Sequence, residues 1–276
     1  MSADLGISGQ VIAQIRADQG RAALVGYLPV GYPSVDASIA AIKALTEGAD
    51  GVGVDLVEVG LPYTDPVLDG VAIQHAGTRA LERGVRTRDA FKAAEAVAET
   101  GVTGVVMTYW NLVEHYGVDA FARDLSASGG AGIITPDLTP DEAEEWIAAS
   151  EAHGLDRIFL LSPSSTAERI ASTTAACRGW VYATSVMGVT GARASTSSQA
   201  PALVARIRDA APGLPVGVGL GVSNGEQAAE VGRFADAVIV GSALVATLID
   251  AERRGVETDL DALRALVADL ASGVRA

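Results

Sequence analysis

The sequence predicts an α/β protein, a single (β/α)8 TIM barrel spanning residues 1–276, on three observations. Eight short apolar runs alternate with amphipathic, alanine-rich helical stretches from one end of the chain to the other. Each run is continuously hydrophobic rather than alternating, which suits strands covered on both faces, as in a parallel sheet. The first run ends in Pro29-Val30-Gly31-Tyr32-Pro33 and not in the G-x-G-x-x-G turn expected of an open nucleotide-binding sheet. Strand-then-helix repeated eight times closes into a barrel.

Taken in order, a leading helix of about Ser8 to Asp18 is expected to cap the barrel's amino end. The first strand, Ala22–Leu28, is followed by Ser34 as an N-cap and a helix over Val35–Leu45. The second, Val54–Val59, runs into a long loop from Gly60 to about Val71, with a helix beginning near His75. Thr87 is expected to cap the next helix, which includes Ala90–Glu99 and leads to the third strand, Val105–Tyr109. Ile133–Thr135 is the fourth strand, followed by a Thr139 cap and a helix over Pro140–Ala152. Ile158–Leu161 and Val181–Val186 are the fifth and sixth strands, with Thr166–Ala175 helical between them. A second long loop, Met187–Ser198, is built of small residues with few packing contacts, as a mobile lid requires. Gln199–Asp209, the seventh strand Val216–Leu220, a helix over Glu226–Gly232 capped by Ser223 or Asn224, and the eighth strand Ala237–Val240 complete the barrel. A last helix, about Thr258 to Ser272, is expected on the outside.

Composition narrows the function. No apolar run approaches the ~20 residues of a membrane span. Met1 to Gln10 lacks the basic start and apolar core of a signal peptide, and the one cysteine, Cys177, excludes an internal disulfide, so a cytoplasmic chain is expected. Cys177 reads as a small buried residue. A net charge of −14 disfavours nonspecific nucleic-acid binding but not a small anionic substrate, which backbone N–H groups can hold. Only two lysines occur, Lys43 and Lys92, both in helical patterns, which argues against an imine-forming aldolase.

The candidate site starts at Val57-Glu58-Val59-Gly60 and continues through Pro62, Asp65, Pro66, Asp69 and Gly70. A carboxylate inside an apolar strand is costly unless paired, so Glu58 is either a structural partner of a buried arginine or a proton-transfer group. Asp65 and Asp69 lie on the loop, where turn and capping duty is the commoner role. Across the mouth, Gly219-Leu220-Gly221-Val222-Ser223 and Gly241-Ser242-Ala243 end the seventh and eighth strands, the usual phosphate position of such barrels. His75, His115 and His153 follow no metal-binding spacing and read as surface residues; no metal is expected. Asp137 is either a site residue or a helix cap, and Tyr109 and Asn111 end the third strand in a similar position.

The stretch Glu58-Val59-Gly60-Leu61-Pro62-Tyr63-Thr64-Asp65-Pro66, continuing to Asp69-Gly70 and Gln74, resembles the signature of the tryptophan synthase α-subunit family. Met107-Thr108-Tyr109-Trp110-Asn111, Pro136-Asp137-Leu138, Gly188-Val189-Thr190-Gly191-Ala192 and the two glycine motifs match in the family's order. The resemblance implies retro-aldol cleavage of indole-3-glycerol phosphate to indole and glyceraldehyde 3-phosphate, with no cofactor in this chain. It implies Glu58 as general acid/base and Asp69 as stabiliser of positive charge on the indole nitrogen, with Thr190 closing onto that aspartate. It puts Tyr27, Met107, Ile134 and Tyr182 around the indole and reacting carbon, and Gly191, Gly221, Gly241 and Ser242 at the phosphate. It also implies a β subunit carrying pyridoxal phosphate in an α2β2 heterotetramer, with Pro62 and Asp65 at the interface. Tyr63 and Leu220 stand where the family commonly has phenylalanine. Another phosphate-binding barrel, a mainly regulatory subunit, or a lyase that acts alone are the alternatives.

Overall fold

The computed structural model describes residues 4–184 and 199–276. The expected loop Met187–Ser198, with Thr190 and Gly191, and the end of the sixth strand beyond Thr184 lie outside the described residues. Eight parallel strands close into one barrel, each pairing with the next and the last with the first. They are β1 Ala23–Pro29, β2 Leu56–Gly60, β3 Thr103–Met107, β4 Gly132–Thr135, β5 Asp156–Leu161, β6 Val181–Thr184, β7 Val216–Gly219 and β8 Ala237–Val240. Among the described residues the helices are α1 Gly6–Gln19, α2 Val35–Glu47, α3 Val71–Glu82, α4 Thr87–Ala98, α5 Trp110–Tyr116 and α6 Val118–Ala127. Then come α7 Glu144–His153, α8 Ala167–Ala176, α9 Ala200–Ala210, α10 Gly225–Gly232, α11 Ser242–Arg253 and α12 Leu260–Arg275.

The strands are the apolar runs, and all seven residues of β1 are buried. Where the ends differ from expectation, a polar group at the rim is responsible. Val54 does not open β2, because the next residue, Asp55, turns its carboxylate to the Leu24 N–H (2.7 Å) and to Arg21 (2.7 and 2.8 Å). Strand pairing begins only at Leu56. Tyr109 leaves β3 to become the N-cap of α5. Ser34, Thr166 and Asn224 cap their helices as side-chain acceptors, whereas Ser223 does not cap α10. Thr87 is not a cap either. Arg86 holds that place, and the Asp89 carboxylate accepts the Arg86 N–H at 2.8 Å. The stretch from Pro140 splits into a short 3-10 turn, Pro140–Glu142, and α7.

Two helices close the molecule as expected. On α12, Leu263, Val267, Leu270, Ala271 and Val274 are buried at helical spacing and pack against α10 and α2. At the amino end, α1 sends Ile12 into the barrel interior. Of its first N–H groups, which a helix start cannot satisfy internally, Gly6 donates to Asp4 and the next two to Asp156 at the start of β5. Ile7 N–H donates to Asp156 at 3.0 Å, Ser8 N–H at 2.7 Å and the Ser8 hydroxyl at 2.6 Å. Among the described residues no helix is long and apolar enough to cross a membrane.

Candidate active site

The barrel's carboxyl end gathers two carboxyls among three phenols. Glu58 is the middle residue of β2 and faces Tyr27 of β1 in register. It is 1% exposed, and its Oε2 is buried with no hydrogen-bond partner among the described residues. No arginine pairs with it there, so the structural reading of this acid has no support. Burial, and then the charge of Asp69, pushes the Glu58 carboxyl up to about 8. Asp69 comes from the β2–α3 loop, and burial lifts it to about 6 against the pull of a hydrogen bond from Tyr109.

Backbone gaps make room for the rings. A Cβ on Gly60 would run into the Tyr27 ring, and one on Gly219 into the Tyr182 hydroxyl. Both phenols are pushed well above their ordinary range by burial and by the negative charges of Asp69 and Glu58, so they remain neutral. Met107, beside Gly60 in register, and fully buried Ile134 meet across β3 and β4. Tyr109 is the residue whose weight the sequence did not reveal. Its hydroxyl accepts the N–H groups of Val67 (3.0 Å) and Leu68 (3.2 Å) and donates to Asp69 Oδ1 at 3.3 Å. Tyr63 stacks on its ring, centroids 4.8 Å apart.

On the neighbouring strands, Gly221 adopts φ +69° after β7, and Gly241, beside the Tyr27 ring, leads from β8 into α11. No side chain caps α11, and its first helical bond is from Val245 N–H to the Gly241 carbonyl. The N–H groups of Ser242, Ala243 and Leu244 therefore stand without helical acceptors, an arrangement suited to an anion.

The remaining candidates separate. Asp137 accepts the Trp110 N–H at 3.0 and 3.1 Å, which makes it a cap on α5. Asn111 reaches only the Tyr63 hydroxyl, at 3.5 Å. Asp65 is exposed and accepts the Thr64 hydroxyl at 2.5 Å. Pro62 is not a surface residue: it is buried over Gly77, and the exposed face of the loop is Asp65 with Val67 and Val71. His75 and His115 are exposed, but His153 is half-buried and bonded to Asp119 at 2.8 Å. Among the described residues no group of His, Cys, Asp and Glu could hold a metal ion. Cys177 is buried and its thiol is pushed up to about 12 by burial, so it is inert. Lys43 and Lys92 pair with Glu99 and Asp89 on outer helices, far from the mouth.

Two carboxyls held at different proton affinities, facing an anion-binding rim, can add a proton at one point of a substrate and hold positive charge at another. The sequence profile of the tryptophan synthase alpha chain matches residues 12–275. The chain is 58% identical to the tryptophan synthase alpha chain of Mycobacterium marinum over 97% of its own length and 94% of the relative's. It is equally similar to that of Acidothermus cellulolyticus, over 97% of its length and 96% of the relative's. A solved structure of Mycobacterium tuberculosis tryptophan synthase superposes with a TM-score of 0.89 at 55% identity, covering all of both chains. With this fold and this similarity over nearly its whole length, the chain belongs to the tryptophan synthase alpha chain family.

Proposed function

We propose that this lyase cleaves indole-3-glycerol phosphate to indole and glyceraldehyde 3-phosphate in the cleft between Glu58 and Asp69. The observation that carries the reading is the unpartnered carboxyl of Glu58, buried opposite Asp69. A protonated Glu58 delivers its proton to indole C3, and the ring nitrogen becomes positively charged. Ionised Asp69 stabilises that charge. The Glu58 carboxylate then takes the proton of the hydroxyl on the adjacent side-chain carbon. The carbon–carbon bond breaks, its electron pair returns to the ring, and the aldehyde leaves. One proton enters and one departs, so Glu58 ends as it began.

Tyr182 and Tyr27 line the reacting end, with Met107 and Ile134 along the indole. Backbone N–H groups at Gly221, Gly241 and Ser242 hold the phosphate together with Gly191, while Thr190 closes onto Asp69. No step draws on a cofactor in this chain. Pyridoxal phosphate belongs to the β subunit of the family, and the β subunit is the partner to which indole passes, in an α2β2 assembly of the cytoplasm. The exposed Asp65, Val67 and Val71 provide an apolar, acid-edged docking face, with Pro62 stiffening the loop beneath it. The test is release of glyceraldehyde 3-phosphate from indole-3-glycerol phosphate, measured with and without a purified β subunit. Turnover of an aminoaldose phosphate instead would contradict the reading.

A further inference from the structure

We propose that Trp180 is a positioning residue for this cleavage, acting through Tyr182, and that the plug at the barrel's amino end seats it. The inference rests on the α-reaction reading above. Trp180 directly precedes β6 and Tyr182 is its second residue, so the two side chains point to the same side of the strand, into the barrel. Their rings stack, centroids 5.8 Å apart and planes 27° from parallel. Trp180 is fully buried, while Tyr182 above it is only half-buried and its phenol senses the charges of Glu58 and Asp69. The tryptophan is thus the floor on which an active-site phenol lies.

The surroundings are cut to fit that floor. Trp180 shares its interior cluster with Ala23, Ala131 and Ala237, and a Cβ on Gly217 would collide with its ring. Ile12, Leu56, Ile134, Ile158 and Ile239 fill much of the rest of that cluster, and a ring close-packed among them has little lateral freedom. Its backbone is held just as closely. Gly179 N–H donates to the Asp4 carbonyl at 2.9 Å, and the missing Cβ of Gly9 on α1 faces the Gly179 carbonyl. Asp156 fixes the start of α1 through Ile7 and Ser8. A continuous line of contacts therefore runs from α1 through Gly179 and Trp180 to Tyr182. An aliphatic side chain at position 180 lacks the flat face and leaves space into which Tyr182 can sink, and small displacements at a reacting centre are expensive in rate.

The test is steady-state cleavage by the full-length chain carrying Trp180→Leu, alone and in a Tyr182→Ala background, with folding checked by far-UV circular dichroism. The expected result is a kcat about tenfold below wild type with KM within about twofold, since the substitution leaves the phosphate rim in place. Trp180→Phe, which keeps a stacking face, restores most of the rate. In the Tyr182→Ala background the Trp180→Leu change has no further effect, because the group through which it acts is gone. A wild-type kcat for Trp180→Leu, or the same tenfold loss in the Tyr182→Ala background, overturns the inference. If Trp180→Leu does not fold, Trp180→Met is read in the same way. A wild-type chain that releases no glyceraldehyde 3-phosphate overturns the α-reaction reading itself, a distinct result.

Discussion

The Tyr109 hydroxyl donates to Asp69 Oδ1 at 3.3 Å while the backbone N–H groups of Val67 and Leu68 converge on the same oxygen. One phenol thus ties the carboxylate proposed to stabilise the indole nitrogen to the outer stretch of its own loop. Tyr109→Phe removes all three bonds and keeps the ring stacked on Tyr63. Loss of a charge-assisted bond together with loop register predicts a kcat lowered roughly tenfold to a hundredfold. The bond also holds the Asp69 pKa down, so its removal shifts the acid limb of the kcat/KM profile to higher pH. An unchanged acid limb in Tyr109→Phe would remove this role.

In the proposed mechanism the two carboxyls set the pH range of the reaction. Glu58 must start protonated and Asp69 ionised. Activity therefore falls as pH drops through about 6, where Asp69 gains a proton, and as pH rises through about 8, where Glu58 loses one. The kcat/KM profile of the free chain should be a bell with its maximum between these values. A flat profile across pH 7 to 9 would show that a protonated Glu58 is not required.

The same burial makes Glu58 a load on stability. Its carboxyl rises from 4.5 to about 8 on folding, so the native state holds a proton that the unfolded chain has released. The group is harmless below pH 4.5, and stability is lost progressively as pH rises through about 8. At about 1.4 kcal/mol per unit, the full penalty is on the order of 5 kcal/mol. Glu58→Gln, neutral and of the same shape, should be more stable than wild type at pH 8.5 by roughly 2–4 kcal/mol and no different near pH 4.5. Urea melts at the two pH values measure it, and equal stability at pH 8.5 would mean that Glu58 finds a partner in solution.

At the other end of the barrel, Asp156 accepts three donors from α1 and receives Arg178 at 3.3 Å. Asp156→Ala leaves the buried Ser8 donors and the helix start unsatisfied, which should destabilise the chain by roughly 2–4 kcal/mol. Denaturant melts of the two proteins give the value. A change below about 0.5 kcal/mol would show that α1 is held by its apolar face alone.

Much of this was legible in the sequence because it rests on local pattern. Strand centres are continuous apolar runs, and an acid in the middle of one, Glu58, stands out without any structure. What was not legible depends on distant partners. Asp55 ends the Val54 run because Arg21 and Leu24, far back in the chain, claim its carboxylate. Tyr109 read as one more residue at a strand end until the loop some forty residues earlier wrapped its hydroxyl. Pro62 was placed at the partner interface by the family resemblance, yet it is buried and folded over Gly77. Asp69 was ranked above Asp65 by family resemblance alone. In the fold Asp69 is lifted by burial, whereas Asp65 stays exposed.

In the proposed mechanism Glu58 moves the proton at both stages of the cleavage. Single-turnover release of glyceraldehyde 3-phosphate by Glu58→Gln, with native circular dichroism, tests it most directly. The expected rate is roughly 10²–10⁴-fold below wild type with little change in substrate affinity. Near wild-type turnover by the folded variant would contradict it.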